Sequence, residues 1–129
     1  MQKGNRLRIC LDWAPAIGIA AGIFALSSIP GSAFPSIRWP YADKIAHAAL
    51  YGLLGLLLAL ALRRTGRTWG WVRLIAVATI IAAAYGITDE LHQKLTPFRS
   101  PDPFDAMADA VGALFGAAFY AIVARARKR

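Results

Sequence analysis

The feature that most limits how this chain can fold is the apolar run "IAHAALYGLLGLLLALAL" at residues 45–62. His47 and Tyr51 are its only titratable residues. A helix needs about 20 predominantly apolar residues to cross a bilayer, and somewhat fewer where its end residues reach the headgroups. The run therefore predicts a membrane-spanning helix and favours a membrane protein over a soluble domain.

Three further apolar blocks, at about 13–29, 72–91 and 105–124, have the same character. Apolar residues make up 57% of the chain and charged residues 17%, against about 45–50% and about 25% in ordinary globular domains. The connections "IPGSAFP" and "TPFRSPDPFD" are rich in proline and are expected to interrupt helices. The sequence thus predicts an all-α, integral membrane four-helix bundle that forms one domain over residues 1–129.

The net charge of +8 is distributed in a way that argues against nucleic-acid binding. Trp69 and Trp71, next to the mid-chain basic cluster, are expected at the headgroup level, which tryptophan prefers. Without a stacking platform for bases, we expect no nucleic-acid partner and the lipid bilayer as the main one. Eleven of the fifteen basic residues flank the apolar blocks: Lys3, Arg6, Arg8, Arg63, Arg64, Arg67, Arg73, Arg125, Arg127, Lys128 and Arg129.

The same charges predict the orientation of the spans. Four retained spans place both termini on one side, which carries those eleven bases and one acid, a balance of +10. Positively charged loops stay in the cytoplasm, so both termini are expected to be cytoplasmic. The other side has a balance of −2, from six acids and four bases: Arg38, Lys44, Lys94 and Arg99.

The first block also has some features of a cleaved signal peptide. It has a basic start, an apolar middle and a "GSA" sequence before Phe34. Asp12, Pro15 and the uninterrupted length of the block favour its retention as a span. The lone Cys10 has no partner for an internal disulfide.

Polar residues converge on the outer ends of spans two, three and four. At about 100° per residue, Lys44, His47 and Tyr51 share one face of span two. On span three, Tyr85, Asp89 and His92 share an arc with Gln93 beside it, whereas Glu90 is expected to turn away.

Span four carries its acids on a narrow stripe, with Asp105, Asp109, Gly112 and Gly116 in line. Glycines four residues apart let another helix backbone approach closely. Asp105 and Asp109 are therefore expected at a helix–helix interface. A carboxylate at the bilayer centre costs roughly 2.5–3.5 kcal/mol on insertion scales, so Asp109 needs a partner, water or a proton.

Simpler interpretations remain open for single residues. Asp43, Glu90, Lys94 and Asp102 are also typical of ordinary charges at a membrane surface. Asp102 or Asp105 suits the N-cap of span four. A histidine on an apolar face is often an interior residue with a satisfied hydrogen bond. The convergence of three helix ends is what favours a shared polar site.

Two stretches, "ADKIAHAALYGLLGLL" at 42–57 and "YGITDELHQKLTPFRSPDPFDAMADAVGALFGA" at 85–117, resemble the VanZ-like membrane proteins. The family's D-K-x-x-H-x-x-x-Y, D-E-x-x-Q and D-x-x-x-(N/D)-x-x-G patterns are matched, with an arginine after the second pattern. Position 109 is often asparagine in the family, and Asp109 adds an acid here. The matching residues are Asp43, Lys44, His47, Tyr51, Asp89, Glu90, Gln93, Arg99, Asp105, Asp109 and Gly112.

The resemblance implies a bacterial inner-membrane protein connected with the cell envelope. The family is named for a member linked to resistance to the glycopeptide teicoplanin. The resemblance supplies no reaction, cofactor or oligomeric state.

Two hypotheses follow for the polar cluster. In the first, it acts on or binds an anionic lipid or cell-wall precursor: Lys44, His47 and Arg99 contact a phosphate. His47, Asp89, Asp105 and Asp109 are then the candidate catalytic residues. The carboxylates of Asp89, Glu90, Asp105 and Asp109 would hold Mg²⁺ or Ca²⁺, position water or do acid–base work. A zinc site would have to recruit His47 and His92 from different spans.

The second hypothesis is a non-enzymatic interaction protein. The cluster is then a hydrogen-bonded and ion-paired network that holds four helices together. No serine or cysteine with an evident base lies in the cluster, so a serine or cysteine hydrolase is not predicted.

Overall fold

The computed structural model describes residues 2–35, 39–65 and 68–127, and confirms the all-α four-helix fold. Each helix is long and apolar enough to cross a membrane. Four bases used in the charge balance, Arg38, Arg67, Lys128 and Arg129, lie outside the described residues, as does the side chain of Lys3. The helices are α1 Gln2–Ser27, α2 Ala42–Arg64, α3 Trp71–Gln93 and α4 Pro103–Ala126, with a 3₁₀ turn at Gly31–Ala33.

The helices extend a few residues beyond the predicted spans, most of all at the start of the chain. α1 begins at Gln2 and continues past Pro15 to Ser27, whereas the apolar block was placed at 13–29. The basic start of the chain thus belongs to the helix, with Arg6 and Arg8 exposed on it. Pro30 then prevents the helix from continuing.

α2 and α4 pack backbone against backbone, as the spacing of Gly112 and Gly116 predicts. A Cβ atom added at Gly112 would collide with the backbone of Ala48, and one at Gly116 with the carbonyl of Gly52. The α2 glycine Gly55 has the same relation to Ala113 on α4. This close approach leaves no room for a side chain at these three glycines and fixes how the polar residues at the end of the two helices face each other.

α3 packs against α4 on one side and against α1 and α2 on the other. The loops at its polar end also dock: the Gly31 amide donates to the Pro97 carbonyl at 3.0 Å. A side chain at Gly31 would collide with the carbonyl of Phe98, which has a positive φ of 58°. The docked loops bring the ends of α1, α2 and α3 around one space.

Candidate functional site

Lys44 connects the first turn of α2 to the start of α4. Its Nζ lies 2.8 Å from Asp102 Oδ2 and 2.9 Å from Asp105 Oδ1, with Asp43 Oδ2 at 3.4 Å. Asp102 also caps α4, accepting the Phe104 amide at 2.9 Å. The hydrogen bond from Lys44 and, to a smaller extent, the one from the Phe104 amide hold the pKa of Asp102 below its usual value.

One turn further along, His47 meets Asp109. His47 Nδ1 lies 2.9 Å from Asp109 Oδ1, and Asp109 is 0% exposed. His47 Nε2 lies 3.9 Å from Asp105 Oδ2, and its ring is nearly parallel to that of Tyr51 at 6.4 Å between centroids. The inward orientation predicted for Asp105 and Asp109 is confirmed.

Glu90 was expected to turn away from the interior, and this was wrong. Glu90 is 8% exposed, and its Oε2 accepts the Asp102 amide at 2.9 Å. Helical phase suggested one inward face on α3, but α3 is covered on two faces, and Glu90 lies on the face toward α4. Ligand atoms of His47, Glu90 and Asp109 all lie within 4.8 Å of one another.

Asp89 occupies the other covered face of α3 and is buried. Gln93 Nε2 donates to Asp89 Oδ2 at 3.3 Å and to Ser27 Oγ at 3.4 Å, while Thr96 Oγ1 donates to the Ser27 carbonyl at 3.0 Å. Ser27 was missed because a hydroxyl at the end of an apolar span carries no charge signal. The paired serines 27 and 28 were the available indication.

The predicted arc of Tyr85, Asp89 and His92 is divided in the structure. The Tyr85 hydroxyl donates to the Ala20 carbonyl of α1 at 2.6 Å. The His92 ring stacks on Phe24 at 4.5 Å, and its Nε2 lies 3.0 Å from Ser28 Oγ. His92 thus contacts α1 and does not join the ligand group around His47, so the two histidines do not form a zinc pair.

Ser28 is not an activated nucleophile despite its contact with His92. Its hydroxyl donates to the Phe24 carbonyl at 2.8 Å. Because the hydroxyl has only this one hydrogen, Ser28 Oγ acts as the acceptor in its contact with His92 Nε2–H. A serine nucleophile needs the opposite polarity, with the histidine accepting.

A cavity of about 540 Å³ lies between the polar ends of α1, α2 and α3. Its walls are largely apolar, and ligand pockets in proteins usually measure about 300–1,000 Å³. Five of the nine predicted site residues on α2 and α3 line it. The polar residues predicted for the site that line it are Asp43, His47, Tyr51, Asp89, Gln93 and Arg99.

Arg99 also lines this cavity, and it donates to backbone carbonyls at the end of α1 and just beyond it. Its Nε donates to the Ile29 carbonyl at 3.3 Å and its Nη2 to the Leu26 carbonyl at 3.0 Å. The guanidinium carbon is 4.4 Å from the centre of the Phe34 ring. Within the described ranges, no carboxylate lies within 4.0 Å of this guanidinium.

Four buried oxygens at this end of the bundle have no hydrogen-bond partner among the described residues. A buried polar atom without a partner costs about 1–3 kcal/mol, so such groups point to a ligand, an ion or a proton. The arrangement is suited to holding a cation, orienting water or transferring a proton between His47 and a carboxylate. The four atoms are Tyr51 Oη, Asp89 Oδ1, Glu90 Oε1 and Asp109 Oδ2.

A family model described as VanZ/LLP1 matches residues 10–124, a range that includes every residue of the polar cluster. Comparisons with curated proteins and with solved structures give no match. The family match agrees with the resemblance carried by the motifs at 42–57 and 85–117.

Proposed function

Because the chain belongs to the VanZ/LLP1 family of membrane proteins, we propose that it binds an anionic envelope lipid or cell-wall precursor in the cavity between α1, α2 and α3. The family resemblance supports a location in the bacterial cytoplasmic membrane, and the asymmetry of basic residues supports an orientation with both termini inside. In that orientation the cavity lies toward the outer leaflet, where precursors of the cell wall are used.

The observation that carries the proposal is the composition of the cavity wall. Ile23, Leu26 and Leu50 supply apolar surface on α1 and α2. Arg99, Gln93 and His47 supply polar groups. Sites for small ligands have this composition, with mostly apolar walls and a few oriented polar groups. A lipid offers the matching pair of an apolar chain and a charged headgroup.

Arg99 is the anion-binding group in this proposal. Two of its five N–H donors are used by the carbonyls of Leu26 in α1 and of Ile29 just after it, which leaves donors for a phosphate oxygen. The sequence also suggested Lys44 and His47 as phosphate-binding residues. In the structure Lys44 is paired with Asp102 and Asp105, and His47 with Asp109. Hydrogen bonds between a guanidinium and a phosphate are of the strong, charge-assisted type.

The link to glycopeptide resistance belongs to the same proposal. If the protein holds a cell-wall precursor or a lipid around it, a cell that overproduces it is expected to show lower susceptibility to teicoplanin. Replacement of Arg99 is expected to remove that difference while the protein remains in the membrane.

The direct test is native mass spectrometry of the full chain in detergent. Phosphatidylglycerol and a polyprenyl pyrophosphate are the anionic probes, and phosphatidylcholine is the zwitterionic one. We expect the anionic probes to be retained and Arg99→Gln to weaken retention about tenfold, which is the loss of one charge-assisted contact of about 1.4 kcal/mol. Lys94→Gln removes an exposed cation at the same end and is the matched control.

If phosphatidylcholine were retained as well as the anionic lipids, the proposal would be contradicted, because the site would then not distinguish anionic from zwitterionic headgroups. Unchanged binding by a folded Arg99→Gln protein would contradict the assignment of Arg99.

A second candidate function is favoured by the ion pairs between α2 and α4. Lys44 with Asp102 and Asp105, and His47 with Asp109, join two helices that are already in close contact. In this function the cluster stabilises the bundle, and the protein acts by contacting another membrane protein.

Asp89→Asn separates the two candidates, because Asp89 lines the cavity and lies outside the α2–α4 ion pairs. A ligand-binding function predicts a folded protein that loses the teicoplanin phenotype. The structural function predicts that any loss of phenotype follows a loss of thermal stability. If Asp89→Asn and Asp105→Asn both fold and complement fully, the ligand-binding function is wrong.

A further inference from the structure

We infer that His47, Glu90 and Asp109 bind one divalent transition-metal ion, of the type represented by Mn²⁺ and Zn²⁺, where α2, α3 and α4 meet. This site does not rest on the lipid proposal, because its three ligands come from the helices themselves and need no occupant in the cavity.

The spacing of the three side chains suits a single ion. One ligand atom from each lies within 4.8 Å of the other two. Ligands bind such ions at about 2.1 Å, so neighbouring ligands on one ion lie about 3 Å apart and opposite ones about 4.2 Å apart. His47 Nδ1 and Asp109 Oδ1 are already 2.9 Å apart. A small adjustment of Glu90 completes the set.

Two buried oxygens point independently to a cation. Asp109 is 0% exposed and Glu90 is 8% exposed, and Asp109 Oδ2 and Glu90 Oε1 have no hydrogen-bond partner among the described residues. Asp109 Oδ2 is directed toward α3, since a Cβ atom added at Gly86, one turn before Glu90, would lie 2.8 Å from it. A metal ion satisfies both oxygens at once.

The charge balance also favours a cation at this point. Lys44 pairs with Asp102 and Asp105, and a protonated His47 would balance only Asp109. Within residues 2–35, 39–65 and 68–127, no basic side chain lies within 4.0 Å of Glu90 or Asp89. Carboxylates packed this closely repel one another in a medium of low dielectric constant, and a divalent ion removes that repulsion.

The donor set selects the type of ion. Imidazole nitrogen suits Zn²⁺ and other transition metals, whereas Mg²⁺ and Ca²⁺ prefer oxygen ligands alone. The acids that would make an all-oxygen site, Asp102 and Asp105, are engaged by Lys44. When the ion binds, His47 gives up its hydrogen bond to Asp109 and loses any proton on the ligating nitrogen.

The experiment uses the full chain purified in detergent and stripped with a chelator. Free Mn²⁺ is followed by its electron paramagnetic resonance signal, and Zn²⁺ by competition with a fluorescent chelator. We expect one ion per chain and a higher melting temperature with either metal. Glu90→Gln keeps an acceptor for the Asp102 amide but removes the charge, and should weaken binding at least about tenfold.

The matched controls are His92→Gln and Asp12→Asn. His92 contacts α1, and Asp12 lies near the other end of the bundle, 3.7 Å from Arg64. Both variants should bind metal as the wild type does. The site is overturned if the wild type binds neither metal, or if a folded Glu90→Gln protein binds as tightly as the wild type. It is also overturned if Mg²⁺ binds as well as Mn²⁺ and His47→Gln leaves that binding unchanged.

Discussion

His47 Nδ1 and Asp109 Oδ1 lie 2.9 Å apart, although the two residues are 62 positions apart in the sequence and Asp109 is fully buried. The contact joins α2 to α4 one turn inside their polar ends. Asp109 therefore has a defined partner at a depth where an isolated carboxylate would be costly.

We expect Asp109→Ala and Asp109→Asn to behave differently. Alanine leaves His47 without its partner and opens space in the seam, which should lower the free energy of unfolding by about 2–4 kcal/mol. Asparagine keeps an oxygen that accepts from His47 Nδ1–H, so its cost should be within about 1 kcal/mol. Thermal unfolding followed by circular dichroism in detergent measures both, and equal losses would contradict the role of the hydrogen bond.

The glycine seam gives a second prediction, in which the same substitution is compared at two places. Gly112→Ala forces a methyl group into the Ala48 backbone and should destabilise the fold by about 1–3 kcal/mol. Gly22→Ala on α1 has nothing within 4 Å and should be neutral or stabilising by up to about 1 kcal/mol. If both variants melt alike, α2 and α4 are not in backbone contact.

The ion pairs of Lys44 should affect how the melting temperature depends on pH under acidic conditions. Lys44→Gln is expected to lower the melting temperature by a few degrees near neutral pH, where Asp102 is ionised. Because the folded pKa of Asp102 is depressed, its contribution is complete above its unfolded pKa of about 3.9 and is lost as the pH falls through the lower folded value. The difference between wild type and variant should therefore shrink as the pH falls from about 6 to about 2.

Lys94→Gln serves as the control for this measurement, because Lys94 is exposed and pairs with no acid in the described part of the chain. Its melting temperature should follow that of the wild type at every pH. A Lys44→Gln difference that stays constant down to about pH 2 would show that the pairing with Asp102 contributes nothing.

The orientation is testable with single cysteines in a Cys10→Ser background. Ser100→Cys lies in the exposed α3–α4 connection and should react with an impermeant maleimide in intact cells or spheroplasts. Arg127→Cys should react only after the membrane is permeabilised. Labelling of position 127 from outside would reverse the orientation and place the cavity toward the cytoplasm.

Much of the fold followed from local patterns. Runs of apolar residues located the four helices because a bilayer demands length and hydrophobicity from each segment alone. The stripe of Asp105, Asp109 and Gly112 was readable because small residues mark the face where helices meet. That Lys44 and His47 share one face of α2 followed from helical phase.

The arrangement around α3 could not be read in the same way. Helical phase gives the direction of each side chain but not the number of helices packed around α3, so Glu90 was expected to turn away from the interior. Ser27 and the cavity depend on the docking of Gly31 against Pro97, two loop residues whose contact has no periodic signal. Whether the predicted site residues act together on a ligand stays a prediction.

The backbone contact between Gly112 and Ala48 determines how precisely the charged side chains at the polar ends of α2 and α4 are positioned. Asp105 lies two helical turns, about 10 Å, from Gly112 along α4. A change of about 5° in the crossing angle of α2 and α4 would therefore move Asp105 by about 1 Å relative to Lys44. Hydrogen bonds do not survive such a lengthening. Gly112 and Gly116, which have no side chains, therefore set the distances between the charged side chains of α2 and α4.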